Sequence, residues 1–239
     1  ALLREPTVIP YDDLDAAAKA VDGETAAFIV EPIQGEGGVR IPGDGYLAGL
    51  REICDANGAL LVLDEVQTGI GRTGRMLALE HEGVVPDIVT LGKGLGGGFP
   101  VAAFLTTESV AETVNLGDHG TTFGGNLLAC AAANAVLGVI EEEQLVERAA
   151  ALGARLLEHL QAFAATREEA VDDVRGRGLL VGLVLHDAEE ASSIPDRALA
   201  RGVLVNVTAG RVVRFFPALN IHEEDLWPAV DTVLSLLAK

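Results

Sequence analysis

Short apolar runs bounded by turn residues recur through the first half of the chain. Each has the length and the Val, Ile and Leu content of a buried strand. Between the first two runs, Tyr46 to Asn57 carries apolar residues at helical spacing and closes at Gly58, a favourable C-cap. The predicted strands are Ala26 to Val30, Ala59 to Leu63, Asp87 to Leu91 and Val101 to Leu105.

The second and third strands define a candidate site in the fold. A helix predicted around Met76 to Glu82 separates them, and a strand, helix, strand order makes the two strands parallel, with their carboxyl ends on one edge. Asp64 ends the second strand, and Lys93 lies just past the third. Open α/β sheets bind ligands at this edge. We therefore expect a covalent amine site with a carboxylate as its electrostatic partner.

The pattern changes after Glu141-Glu142-Glu143. Upstream, Leu127 to Ile140 is apolar all round and is predicted to be a buried helix. Downstream, strands mix with helices, which indicates a small α+β domain beside a larger α/β domain, divided as residues 1–145 and 146–239. The predicted downstream helices are Leu145 to Arg167, Pro195 to Arg201 and Glu223 to Ala238, and the strands are Val171 to Val174, Leu179 to Leu185, Val203 to Val207 and Val212 to Phe216.

Composition excludes several classes of function. Hydrophobic residues make up 49% of the chain, which excludes disorder throughout, and a formal net charge of −19 argues against nucleic acid or an anionic membrane as a partner. The most apolar run is too short to span a bilayer and contains Asn134. Cys54 and Cys130 are too few for a disulfide framework, so we expect two buried free thiols in a reducing, cytoplasmic protein.

Two familiar nucleotide-binding patterns occur here but are incomplete. The segment LLVLDE is similar to the strand and acidic pair of a P-loop ATPase, yet the chain has no Gly-x-x-x-x-Gly-Lys-Ser/Thr cradle. Gly92, Gly94 and Gly97 satisfy G-x-G-x-x-G after a strand, but a new strand is predicted to follow instead of a helix. Neither pattern accounts for Lys93.

A third pattern fits at many positions. LDEVQTGIGRTG followed by TLGKGLGGGFP resembles the cofactor segment of the class III pyridoxal-phosphate aminotransferases, the ornithine and acetylornithine group. The segments VEPIQGEGGV, HGTTFGGN and VVRFFPAL agree with it, so the resemblance covers nearly all of the chain. It implies a fold type I PLP-dependent transferase, of which this chain is the C-terminal part of the large α/β domain plus the small α+β C-terminal domain.

The resemblance also implies roles in binding pyridoxal 5'-phosphate. Asp64 would lie beside the ring nitrogen and raise its pKa, while Lys93 would form the Schiff base and then carry the substrate proton. Gln67 matches the contact to the ring oxygen. Thr122 matches a phosphate contact made across the interface of a homodimer with shared active sites.

Substrate selection is implied for three further residues. Glu31 and Glu36 match the two glutamates of the family's loop, and Glu36 with Arg214 matches its substrate switch. No metal is expected. The predicted reaction is transamination between the ω-amine of an acetylornithine- or ornithine-like substrate and 2-oxoglutarate, in the biosynthesis of arginine or a related amino acid.

Two other functions stay open from the sequence alone. One is an aminomutase of the glutamate-semialdehyde type, which moves the amine within one molecule. The other is a non-catalytic truncated fragment, because the family's N-terminal phosphate loop, its ring-stacking aromatic and its carboxylate-binding arginine would precede Ala1. We therefore expect an N-terminally incomplete chain with little activity by itself.

Overall fold

The computed structural model describes residues 5–237. Contacts between residues divide the chain into two compact units, each built from separate stretches. The first unit contains the residues up to Pro32, Pro42–Val66 and Leu79–Ala133, and the second contains Ile33–Ile41, Gln67–Ala78 and the residues from Asn134 onward. Two short stretches of the N-terminal half therefore fold with the C-terminal half. The predicted domain division at residue 145 stays a prediction.

The first unit is an α/β structure whose strands end at the candidate site. Its core lies between the sheet and two helices that pack on one face, where apolar residues of both are buried. Its elements are α1 (Leu14–Ala20), β1 (Ala27–Val30), α2 (Tyr46–Asn57), β2 (Leu60–Asp64), β3 (Ile88–Leu91), β4 (Ala103–Thr106), α3 (Glu108–Ala111) and the start of α4 (Leu127–Glu142).

The sheet of the first unit has the order β1-β2-β3-β4. β1, β2 and β3 run parallel, and β4 pairs antiparallel with β3. The predicted parallel arrangement of β2 and β3 is thereby confirmed. The predicted α2 is also confirmed, and it ends at Gly58 in the left-handed conformation, with φ 71°.

The crossover between β2 and β3 was predicted wrongly as a helix over Met76 to Glu82. Only one turn of 3-10 helix forms, at Ala78–His81. The segment lies between Gly74 and Gly83, which both adopt positive φ, a conformation that interrupts a helix. The Leu79 N–H donates to the carboxylate of Glu65 at 2.8 Å, so a buried side chain satisfies the start of this turn.

Helix α4 forms as predicted, but its predicted burial is wrong. The side chains of Leu127 and Leu128 are 87% and 72% exposed, and Cys130 is exposed as well, whereas Cys54 is buried as expected. Residues 5–237 supply no surface that covers this part of α4. An apolar pattern shows that a helix needs a partner surface, and it does not show where that surface comes from.

The second unit is α+β, with helices packed on one face of an antiparallel sheet. The strand order is β5-β6-β8-β7, and Val39 packs on the other face against Leu180, Val184 and Val212. Its elements are the end of α4, α5 (Leu145–Ala164), β5 (Val171–Arg177), β6 (Leu180–Leu185), α6 (Ala188–Leu199), β7 (Asn206–Thr208), β8 (Val212–Phe215) and α7 (Glu223–Leu236).

Several boundaries in the second unit differ from the prediction, and one of them is β7, which spans Asn206–Thr208 where a strand over Val203 to Val207 was predicted. β5 continues through Arg177, so the turn before β6 is reduced to Gly178, with φ 56°, and Leu179. α6 begins at Ala188, seven residues before Pro195. The Asp187 carboxylate caps it there by accepting the N–H groups of Glu189 and Glu190.

Smaller differences concern helix ends. α5 ends at Ala164, three residues before the predicted end at Arg167. α7 ends at Leu236, and the predicted end at Ala238 lies outside the described residues. Among residues 5–237, no helix combines the length and the apolar character needed to cross a bilayer.

Candidate functional site

Asp64 and Lys93 follow the carboxyl ends of neighbouring parallel strands in the first unit. Asp64 is the last residue of β2 and is in register with Thr90 of β3. Lys93 comes two residues after β3 ends at Leu91. The structure therefore places the predicted carboxylate and amine at the edge where α/β sheets bind ligands.

The Asp64 carboxylate is held in one orientation. Its Oδ1 accepts a hydrogen bond from the Val66 N–H and another from the Thr90 hydroxyl, each at 3.0 Å. No residue in the described part of the chain donates to Oδ2. One oxygen thus fixes the side chain, and the other remains available to a ligand. The sequence did not predict the role of Thr90, because a parallel pair of strands does not by itself fix which residues lie in register.

Lys93 has a backbone conformation that lysine rarely adopts. Its φ is +42°, in the left-handed region, and it starts a one-turn 3-10 helix, Lys93–Gly96. This conformation costs a residue other than glycine about 1–2 kcal/mol. Its side chain is exposed, and within residues 5–237 its amine makes no hydrogen bond or ion pair. Backbone strain under a lysine that makes no structural contact is typical of a functional position.

Thr122 lies in the loop before α4, still in the first unit. Its side chain is exposed and makes no hydrogen bond to any described residue. Asn126 caps the helix by accepting the Ala129 N–H at 2.9 Å, while the Thr121 hydroxyl accepts the Gly124 N–H at 3.2 Å. The neighbouring side chains thus serve the local fold, which leaves the Thr122 hydroxyl available to a ligand.

The two glutamates of the predicted substrate loop belong to different units. Glu31 follows β1 in the first unit, where its backbone carbonyl accepts the Tyr11 hydroxyl at 3.2 Å. Glu36 belongs to the Ile33–Ile41 stretch of the second unit. Within the second unit, the structure brings Glu36 together with Arg214.

Glu36, Gln67 and Arg214 form one polar cluster in the second unit. Arg214 Nη1 donates to Glu36 Oε1 at 2.8 Å and to Gln67 Oε1 at 2.7 Å. Gln67 Nε2 in turn donates to Glu36 Oε1 at 3.3 Å. The amide therefore bridges both members of the ion pair, an arrangement that the sequence did not predict.

Two neighbouring residues shape this cluster. Gly35 allows the Gln67 side chain to pass close to the backbone, since a Cβ at Gly35 would lie 1.8 Å from Gln67 Oε1. Asn206, the partner of Arg214 in the β7–β8 pair, accepts a hydrogen bond from Arg214 Nε at 3.2 Å. The Arg214 guanidinium is thus held from several sides, and its side chain is only 10% exposed.

Known proteins match the chain over almost its full length. A family model described as aminotransferase class-III matches residues 7–237. The acetylornithine aminotransferase of Methanopyrus kandleri is 52% identical, over 93% of this chain and 56% of its own length. That of Mycobacterium leprae is 50% identical, over 92% of this chain and 54% of its own. The chain therefore spans about half the length of these relatives.

Solved structures show the same relationship in three dimensions. The ornithine aminotransferase of Toxoplasma gondii matches with a TM-score of 0.91 at 40% identity, over 96% of this chain and 55% of its own. The acetylornithine aminotransferase of Elizabethkingia anophelis matches with a TM-score of 0.87 at 40% identity, over 96% and 59%. The predicted fold class is confirmed, and so is pyridoxal phosphate as the cofactor of this class of enzyme. The chain belongs to the class III aminotransferase family.

Proposed function

We propose that the protein containing this chain transfers an amino group between the ω-amine of an acetylornithine- or ornithine-like substrate and 2-oxoglutarate. The pathway would be the biosynthesis of arginine or a related amino acid. One observation carries the proposal, the ion pair of Arg214 with Glu36 at 2.8 Å. A cation that an acid neutralises reversibly suits an enzyme whose two substrates differ by one carboxylate.

The two half-reactions place opposite demands on Arg214. Glutamate carries a second carboxylate, for which an available guanidinium is the natural partner. The ω-amine substrate has an uncharged methylene chain at that place, where an unpaired cation would be desolvated without compensation. Pairing with Glu36 satisfies the arginine in the second case, and a substrate carboxylate replaces Glu36 in the first.

The residues of the first unit fit pyridoxal phosphate by their chemistry. When bound, this cofactor supplies a carbonyl that can be passed to an amine and a ring that holds the electrons left when a Cα–H bond breaks. The available Oδ2 of Asp64 suits a protonated ring nitrogen. The Lys93 amine suits the carbonyl, and the Thr122 hydroxyl suits a phosphate oxygen.

These fits give each residue a proposed task. Asp64 keeps the ring nitrogen protonated through its negative charge. Lys93 would hold the cofactor covalently, and its Nζ would carry the proton to and from the substrate carbon. Gln67 contacts the ring oxygen, and Glu31 contributes to substrate binding.

The proposed assembly is a cytoplasmic homodimer in which Thr122 reaches the phosphate of the partner subunit. The exposed apolar side chains at the start of α4, next to Thr122, support an interface at this surface. This geometry would make each site depend on both subunits.

A product assay combined with cofactor mapping tests the proposal on the protein expressed from its complete gene. With acetylornithine and 2-oxoglutarate we expect released glutamate, whereas an aminomutase would isomerise one compound and release none. Borohydride reduction followed by peptide mass mapping should place the cofactor on Lys93. Lys19→Arg serves as the control that retains the adduct. An adduct on Lys19 or Lys239, or no glutamate, would contradict the proposal.

A further inference from the structure

Two guanidinium groups lie near one aromatic ring in the second unit. The ring is Phe216, directly after β8, and its centroid is 4.0 Å from Arg72 Cζ and 5.4 Å from Arg214 Cζ. Both distances are within the reach of a cation–π interaction, about 6 Å. Arg72 therefore contacts the same ring as Arg214, the arginine of the proposed substrate switch.

Arg72 differs from Arg214 in having no acid partner. Its Nη1 donates to the carbonyl oxygens of Leu179 and Pro217, at 2.9 and 2.6 Å, and the described residues include no carboxylate paired with it. Backbone carbonyls fix a guanidinium in place but do not cancel its charge. Burial lowers the pKa of Arg72 to about 10, which still leaves it protonated at neutral pH.

The contacts of Arg72 also fix the ring itself. Pro217 follows Phe216 in the chain, so the bond to its carbonyl anchors the backbone that carries the ring. The backbone carbonyl of Arg72 accepts the Leu179 N–H at 3.0 Å. This bond fixes the backbone of Arg72 to the turn between β5 and β6. Arg72 thus combines an uncancelled charge with a fixed place beside Phe216.

We propose that Arg72 is a positioning residue for substrate selection, which holds Phe216 in place and raises the positive potential at Arg214, so that a second substrate carboxylate is bound more tightly. This inference rests on the proposed function, because only a dicarboxylate substrate uses Arg214. It predicts that loss of the Arg72 charge weakens dicarboxylate binding selectively.

Binding of two unreactive five-carbon acids to the full-length holoenzyme measures this selectivity. Glutarate carries two carboxylates and pentanoate carries one, and the ratio of their dissociation constants isolates the second carboxylate. Arg72→Gln should lower the preference for glutarate about fivefold, the scale of one partly screened charge a ring's width away. Arg72→Lys keeps the charge and should restore most of the preference.

Arg148 provides a matched control. It is also half-buried and donates to two backbone carbonyls, those of Leu219 and Ile221, but within the described residues it makes no cation–π contact. Arg148→Gln should leave the preference for glutarate within twofold of the original. A comparable loss in this variant would show a general structural effect and overturn the inference.

The remaining outcomes separate the two proposals. If the original protein does not prefer glutarate, the substrate switch and the proposed function fail. If the original protein prefers glutarate and the variant that tests Arg72 keeps the full preference, only the role of Arg72 is overturned. Should Arg72→Gln not fold, Phe216→Leu is the replacement, because it removes the ring that both arginines contact and should also lower the preference. A lysine variant as weak as the glutamine variant would likewise overturn the role of the charge.

Discussion

Arg214 Nη1 lies 2.8 Å from Glu36 Oε1, although 178 positions separate the two residues in the chain. The arginine is fixed in β8 and is 10% exposed, while the glutamate stands on a loop and is 67% exposed. The acid is thus the partner that solvent and ligands can reach. This asymmetry suits an exchange in which the arginine stays and its anion changes.

Glu36→Gln should separate the two half-reactions. The variant leaves Arg214 without a neutralising charge, so the glutamate half-reaction is favoured and the ω-amine half-reaction is impaired. We expect the ratio of their rate constants to shift about tenfold, equivalent to roughly 1.4 kcal/mol. Single-turnover kinetics with each substrate measures it. Glu24→Gln, at an exposed acid of the first unit, is the control, and equal effects on both half-reactions would contradict the switch.

Asp64→Asn should leave the fold intact and suppress turnover by about a thousandfold, because an amide does not keep the ring nitrogen protonated. Its carbonyl oxygen can still accept the Val66 and Thr90 hydrogen bonds. Thr90→Val keeps the carboxylate but removes one of the donors that orient it, so a loss of about tenfold is expected. Steady-state kinetics and circular dichroism check both variants. Near-normal activity of the asparagine variant at neutral pH would remove Asp64 from the mechanism.

Gly35→Ala should change selectivity more than stability. The new Cβ would lie 1.8 Å from Gln67 Oε1, which forces the flexible amide away from Glu36 and Arg214. The free energy of unfolding should change by less than about 1 kcal/mol, while the ratio of the half-reactions changes several-fold. Gly23→Ala is the control, since a Cβ there meets nothing within 4 Å. An unchanged ratio would show that Gln67 does not couple the pair.

The pH dependence of stability should include a contribution from Glu223. Hydrogen bonds from Arg155 and then from Trp227 lower the pKa of this exposed carboxyl below its ordinary value. Stabilisation by the ionised group is therefore fully present above the unfolded-state pKa and is lost as pH falls through the lower folded-state value. Glu223→Gln should lower the melting temperature at pH 7 but not at the most acidic pH where the fold persists. Fluorescence of Trp227, the only tryptophan, follows the titration.

The sequence predicted those features that depend on local pattern and on parallel pairing. Asp64 and Lys93 were located because each follows a short apolar strand, and Gly58 because a helix pattern stops there. Features fixed by distant contacts were missed. Arg72 binds the backbone carbonyls of Leu179 and Pro217, which lie far away in the sequence, and such a contact leaves no trace in local spacing. The strand through Arg177 was missed because glycine and arginine resemble a turn when the opposite strand is unknown.

The path of the chain through the second unit limits how such a protein can acquire a new substrate. Arg214, Glu36 and Gln67 come from three separate stretches of the sequence, divided by segments of the first unit. A recombination event with a single crossover downstream of Ala78 would replace Arg214 but keep the original Glu36 and Gln67. Under the proposed substrate switch, substrate preference is therefore not inherited as a C-terminal cassette. It would change through matched substitutions in three separated parts of the gene.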